Sequence, residues 1–164
     1  MSDFQIRHYE PADLSQVHKL YSEVQAFSST LQLPYQSSVH WEGKLDTSRE
    51  GCFCLVAVRQ DEVVGQLGLE VCRSPRRRHV ATLGMGVKAS ARRLGVGSTL
   101  LQAAIDMCER WMQITRIEIE VYTDNTAAID LYSRHGFVVE GTCRRSAFRD
   151  GAYVDAHLMA RVAA

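Results

Sequence analysis

Several features are scarce in this sequence, and each scarcity excludes something. No apolar run approaches membrane length, and the opening Met-Ser-Asp-Phe-Gln-Ile-Arg lacks the apolar core of a secretion signal. Nineteen Lys and Arg are matched by nineteen Asp and Glu, so there is no overall field to attract nucleic acid or a charged membrane surface. The five cysteines are an odd number with no Cys-x-x-Cys spacing, which speaks against a disulfide framework or a zinc ribbon. Cys52 and Cys54 lie among strand-like apolar residues and read as small buried hydrophobes, which fits a reducing cytoplasm. No repeat, low-complexity tract or Pro-rich linker divides the chain. A length of 164 residues is that of one domain with a sizeable core, so the expectation is a single domain over 1–164.

What is present is concentrated between Leu83 and Leu101. Leu83-Gly-Met-Gly-Val87 is a short apolar run that reads as a strand, and a polar turn with Arg92 and Arg93 follows it. Beyond Gly95 and Gly97, the residues Leu101, Ala104, Ile105, Cys108 and Met112 recur at helical spacing. Strand, glycine loop and helix N-terminus together hold anions, because the first N–H groups of a helix lack partners and its dipole adds positive charge there. The loop is neither a Walker loop nor a dinucleotide Gly-x-Gly-x-x-Gly. Read alone, Arg92-x-x-Gly95-x-Gly97 is equally a glycine-rich turn with solvated arginines.

The surrounding pattern places this loop in a recognisable order. Phe4, Ile6 and His8 alternate as a first strand, and Pro11 opens a helix carrying Leu14, Val17, Tyr21 and Val24. Residues Gln25 to Ser38 read as a loop, unusually apolar at Phe27, Leu31, Leu33 and Tyr35, before a short helix around Val39 to Leu45. Strands are expected at Phe53–Arg59, Val63–Cys72 and His79–Val87, then at Ile117–Tyr122 after the glycine-loop helix. Asp124-Asn125-Thr126 caps a helix ended by Gly136, and a hairpin turning at Asp150-Gly151 closes the chain. The order βααβββαβαββ is that of an α/β (α+β) protein with a mixed, mostly antiparallel sheet.

A second motif joins the first. Asn125-x-x-Ala128-x-x-x-Tyr132-x-x-x-Gly136-Phe137 follows Arg92-x-x-Gly95-x-Gly97 at a distance of one strand. Motifs and element order together resemble the GNAT superfamily of acyl-CoA-dependent N-acetyltransferases over nearly the whole chain. The resemblance implies a splayed central strand pair, helices on both faces, and acetyl-CoA as co-substrate without a metal. It implies cofactor contacts from Met85, Val87, Arg92, Arg93, Gly95, Val96, Gly97, Ser98 and Asn125. The Val87 N–H would meet the thioester carbonyl, the 92–98 loop the pyrophosphate, and Asn125 the pantetheine arm. Glycines at 84 and 86 suggest a bulged strand. Tyr132 matches the family's general acid; packing on the helix face is the competing role. The base is not written in a motif: Glu70 ranks first, with Glu120 and His79 as further candidates.

Runs such as Thr30-Leu-Gln-Leu-Pro34 and Pro75-Arg-Arg-Arg-His-Val80 resemble a bacterial group of L-amino-acid N-acyltransferases, although Thr82 stands where that group carries aspartate. The expected acceptor is therefore a small-molecule primary amine, in particular a free L-amino acid whose carboxylate the arginines at 76 to 78 would hold, unless those arginines meet the 3′-phosphate of coenzyme A or only water. Acetylation of a protein N-terminus or xenobiotic amine, or a non-catalytic acyl-CoA-binding module, are the other readings. No nucleic acid or membrane partner is expected, and a homodimer is compatible with the sequence.

Overall fold

The computed structural model describes residues 3–164. Seven strands form one sheet in the spatial order β1-β2-β3-β4-β5-β7-β6. They are β1 (Gln5–His8), β2 (Cys52–Arg59), β3 (Glu62–Val71), β4 (Val80–Val87), β5 (Arg116–Tyr122), β6 (Val138–Arg149) and β7 (Ala152–Val162). Five helices cover the sheet: α1 (Leu14–Tyr21), α2 (Val24–Ser28), α3 (Ser38–Lys44), α4 (Val96–Asp106) and α5 (Thr126–Arg134). All neighbouring strands run antiparallel except β4 and β5.

Burial on both faces explains why β2 and β3 read as continuous apolar runs rather than alternating ones. Side chains on a strand point alternately to opposite faces, so Cys54 and Val56 join Val17, Leu20, Tyr21 and Trp41 under α1 and α3. Leu55 and Ala57 join Leu67, Leu100, Leu101, Ile117 and Phe137 under α4 and α5. At Gly65 a Cβ would come within 2.8 Å of Leu100 and Val96, so the absence of a side chain lets α4 settle onto β3.

The strand that organises the site is β4. Its parallel pairing with β5 lasts three residues, Val80↔Arg116, Ala81↔Ile117 and Thr82↔Glu118, and goes no further. On the other side, β4 pairs with β3 without interruption from Val71↔Ala81 to Gly65↔Val87. The bonds Cys72 N–H to Val80 O and Lys88 N–H to Val64 O bracket that ladder at 2.9 and 2.8 Å. Antiparallel bonding alternates, so the even-numbered residues of β4 face β3. The backbone groups of Leu83, Met85 and Val87 therefore face β5, where the ladder has already ended. On β5 the bond from Thr123 N–H to Asp155 O directs odd positions to β7, which leaves Glu120 facing the same gap.

Three expectations need correction. The segment 25–38 is not wholly loop, since α2 occupies its start, with Ala26 buried against the α1 cluster. The helix expected through Met112 ends at Asp106 and passes into a π-helical turn, Met107–Trp111, that keeps Cys108 buried while Trp111 faces solvent. Glycines 84 and 86 do not form a bulge, because the β3–β4 register is unbroken. Gly86 instead makes room for a helix: a Cβ there would lie 2.8 Å from the Tyr21 ring. The closing hairpin turns as expected at Asp150-Gly151, both with positive φ, as a primed two-residue turn requires.

Candidate active site

The gap between β4 and β5 opens into one cleft of about 1310 Å³ that runs through the sheet from the α4–α5 side to the α1–α3 side. Every residue expected to contact the cofactor lines it: Met85 and Val87 on β4, Arg92, Arg93, Gly95, Val96, Gly97 and Ser98 in the loop and first turn, and Asn125 before α5. Tyr132 and Glu70 line it as well.

On the α4–α5 side the lining is largely backbone. Gly95 enters α4 with φ 84°, a left-handed conformation that costs glycine little. No side chain caps the helix, and its first backbone bond is Thr99 N–H to Gly95 O at 3.0 Å. The N–H groups of Val96, Gly97 and Ser98 are thus left for a ligand, at the positive end of the helix dipole. Gly97 keeps this corner narrow, since a Cβ would sit 3.2 Å from Leu131 and 3.7 Å from Val87. Ser98 is partly committed, its hydroxyl lying 2.8 Å from His135 Nε2. Asn125 caps α5, its Oδ1 accepting from Ala128 N–H at 3.3 Å. Free strand N–H groups, an uncapped helix start and two arginines form a donor set that fits the thioester carbonyl and pyrophosphate of acetyl-CoA.

Tyr132 stands on α5 with its ring 5.6 Å from that of Phe137 and only 7% exposed. Burial pushes its phenol up to about 12. Among the described residues no hydrogen bond joins its hydroxyl to another group, and the residue lines the cleft.

On the α1–α3 side the lining is side chains. Glu70, Thr82 and Glu118 stand in one row across β3, β4 and β5. The next row is hollow, with Gly68 beside Gly84, and a Cβ at Gly84 would meet nothing within 4 Å. Glu118 is occupied by Arg77 and Arg116, each at 2.8 Å, and Arg116 also holds Glu140. Glu70 and Glu120 line the cleft exposed and without ion-pair partners among the described residues. His79 lies outside, in an exposed turn where its backbone carbonyl accepts from Thr115 and Arg116. The arginines at 76 to 78 are likewise absent from the lining, and Arg77 is spent on Glu118.

The structure adds residues that no motif pointed to. Tyr21 donates to Gln66 at 2.6 Å, and Gln66 reaches Cys54 Sγ at 3.2 Å. Trp41 stacks on Tyr21 with ring centroids 4.5 Å apart, and the Lys44 ammonium lies 5.2 Å from the Trp41 ring. The spacing of Trp41 and Lys44, three residues apart on a helix, was the available signal. Among the described residues no group of three or more His, Cys, Asp or Glu is placed to hold a metal ion.

The profile of the acetyltransferase (GNAT) family matches residues 16–137, which takes in the α1–α3 wall, β4, the glycine loop and Tyr132. The chain belongs to the GNAT family. It is an acetyl-CoA-dependent N-acetyltransferase, as the paired motifs led one to expect. Among GNAT relatives, the L-amino acid N-acetyltransferase AaaT of Escherichia coli (strain K12) is 40% identical over 162 residues, 99% of each chain. N-alpha-acetyltransferase 50 of Danio rerio is 27% identical over 114 residues, 70% of this chain and 67% of that one. A ribosomal-protein-alanine N-acetyltransferase from Brucella melitensis superposes with a TM-score of 0.86 at 26% identity, covering 96% of this chain and 99% of that one. The GNAT fold is also shared with a phosphinothricin acetyltransferase from Sinorhizobium meliloti solved with AcCoA, with a TM-score of 0.88 at 20% identity.

Proposed function

We propose that the acceptor is the primary amine of a small free molecule, namely an L-amino acid. The observation that carries this reading is the 40% identity, end to end, with a relative named for that activity. The cleft agrees with it: a glycine-floored hollow of modest size, with apolar Ala26 and Leu31 at its edge.

The roles follow from position. The acetyl thioester supplies an electrophilic carbonyl. The Val87 N–H, which has no strand partner on the β5 side, donates to the carbonyl oxygen, while the N–H groups of Val96, Gly97 and Ser98 and the Arg92 and Arg93 side chains hold the pyrophosphate. The amine nitrogen bonds to the acetyl carbon as the carbon–sulfur bond breaks. Glu70 takes the proton that the ammonium must lose, and the Tyr132 hydroxyl serves the departing sulfur. A phenol near 12 facing a thiolate whose conjugate thiol titrates near ~8.5 shares its proton rather than surrendering it, so Tyr132 acts mainly as a hydrogen-bond donor. Five free cysteines are in keeping with a cytoplasmic setting.

A panel of free L-amino acids, their carboxamides, short peptides and xenobiotic amines, scored by thiol release from acetyl-CoA, tests the acceptor. Turnover concentrated on the free amino acids is the expected result. Equal or faster reaction of peptides would move the assignment to protein N-termini.

A further inference from the structure

An amino acid differs from other small amines in its carboxylate, and the residues first expected to read that group lie elsewhere. Six cations line the cleft, and of these Arg134 on α5 reaches only the Asp130 carbonyl, at 3.4 Å. Arg92 and Arg93 belong to the anion loop, and Arg116 is held by Glu118 and Glu140. Lys44 is different. It enters from the C-terminal end of α3 and has no carboxylate within ion-pair distance among the described residues. Its ammonium sits 5.2 Å from the Trp41 ring, which stacks on Tyr21, whose own ring rests against Gly86 of β4. This chain of contacts ties an uncompensated positive charge to the strand that meets the thioester, on the side of the sheet where the amine must enter.

We propose that Lys44 is the carboxylate anchor of the acceptor site, so that the enzyme selects amines bearing a free carboxylate. The assignment rests on the reading of the acceptor as a free amino acid. Lys44 is exposed overall, yet partial removal from water draws its pKa below its ordinary value, and no carboxylate within ion-pair distance among the described residues compensates it. A carboxylate arriving there restores that compensation with a charge-assisted hydrogen bond. The aromatic face beneath fixes where the ammonium sits, since cations are held over ring faces. Glu70 and Glu120, also in the lining, then receive the opposite end of a zwitterion.

The test compares L-leucine with L-leucinamide in the wild type and in Lys44→Met, Lys44→Arg and Arg49→Gln variants. Arg49 is included because it is the other uncommitted cation near α3 in the lining. Lys44→Met should raise the KM for leucine about ten- to a hundredfold while leaving kcat and the KM for leucinamide nearly unchanged. Lys44→Arg should recover most of the loss. An undiminished preference for the acid in Lys44→Met, or its disappearance in Arg49→Gln alone, overturns the assignment. A readout independent of turnover uses Trp41 fluorescence in a Trp111→Phe background, titrated with N-acetyl-L-leucine and its amide. A response to the acid that vanishes with Lys44→Met supports the anchor, and no response to the acid overturns it. An enzyme that acetylates other amines but no amino acid defeats the acceptor reading by itself, and the fluorescence titration still decides what Lys44 binds.

Discussion

The two sides of the cleft are built from different materials. The α4–α5 side presents main-chain N–H groups, freed by a broken ladder and an uncapped helix, with Gly97 where a side chain would crowd Leu131. The α1–α3 side is lined with side chains brought from α1, α3, β3 and β5, whose positions depend on one another through Tyr21, Trp41 and Gln66. A backbone site is fixed by the fold and recognises what every member of the family shares. A side-chain site can be rewritten by substitution without moving a strand. If the sides divide as proposed, the cofactor side is the general part of the enzyme and the acceptor side the particular part.

Substitutions that should injure one side and spare the other test this division, and the largest effect is expected at Gly97. Gly97→Glu places bulk against Leu131 and a negative charge beside the anion-binding N–H groups. Acetyl-CoA affinity should fall by about a hundredfold or more, as repulsion at a few ångströms in a partly dry site implies. Calorimetry on the folded variant measures it, and unchanged affinity would remove the loop from the cofactor site.

Tyr132→Phe comes next. It deletes one hydroxyl that makes no hydrogen bond among the described residues, so stability should hardly move while kcat falls on the order of ten- to a thousandfold. Acetyl-CoA binding should persist. Parallel losses in both would make Tyr132 a packing residue beside Phe137 and nothing more.

Glu70→Gln addresses the particular side. Its carboxylate is unpaired and its removal leaves the β3–β4 ladder intact. A fall in kcat of about tenfold or more is expected, with the alkaline limb of the rate profile reduced in relative loss because the amine there arrives deprotonated. If Glu120→Gln shows this behaviour and Glu70→Gln does not, the base sits on β5.

Gly86→Ala is the smallest change in atoms and sharpens the comparison most. A methyl group 2.8 Å from the Tyr21 ring pushes the Tyr21–Trp41 stack outward, costing roughly 1–3 kcal/mol of stability by overpacking. The KM for the amine should rise severalfold while acetyl-CoA affinity stays within about twofold, read from paired titrations of the two substrates. An equal effect on both would mean that the two sides are mechanically one.

The same division decides what could be read from the sequence. Arg92, Gly95 and Gly97 announce themselves because backbone binding needs glycine at set intervals, and spacing survives in a string of letters. Asn125 and Tyr132 are legible for a related reason, being fixed relative to a cap and a helix end. Trp41 and Lys44 carry only their three-residue helical spacing and Gln66 no signature at all, since what joins them is the packing of α1 and α3 across β2 and β3. The arginines at 76 to 78 misled by abundance: a cluster is visible in sequence, but the ion pair that occupies Arg77 is not. Nor could the pattern tell a bulged β4 from a flat one whose glycines accommodate Tyr21, because both call for the same letters.

The three-residue pairing of β4 with β5 has a mechanical consequence. Between Val80–Thr82 and Arg116–Glu118 the molecule has a hinge of minimal length, joining a four-stranded leaf to a three-stranded one. A ligand lying in the gap would serve as a removable strand, completing the backbone bonds of Met85, Val87 and Glu120. Saturating acetyl-CoA, at a hundred times its dissociation constant, adds about 2.7 kcal/mol to stability by mass action alone. Amide exchange at those three positions should slow on filling, while the ladder between β2 and β3 keeps its rate. Slower exchange there would mark the donor as the strand that fixes the wall the acceptor meets.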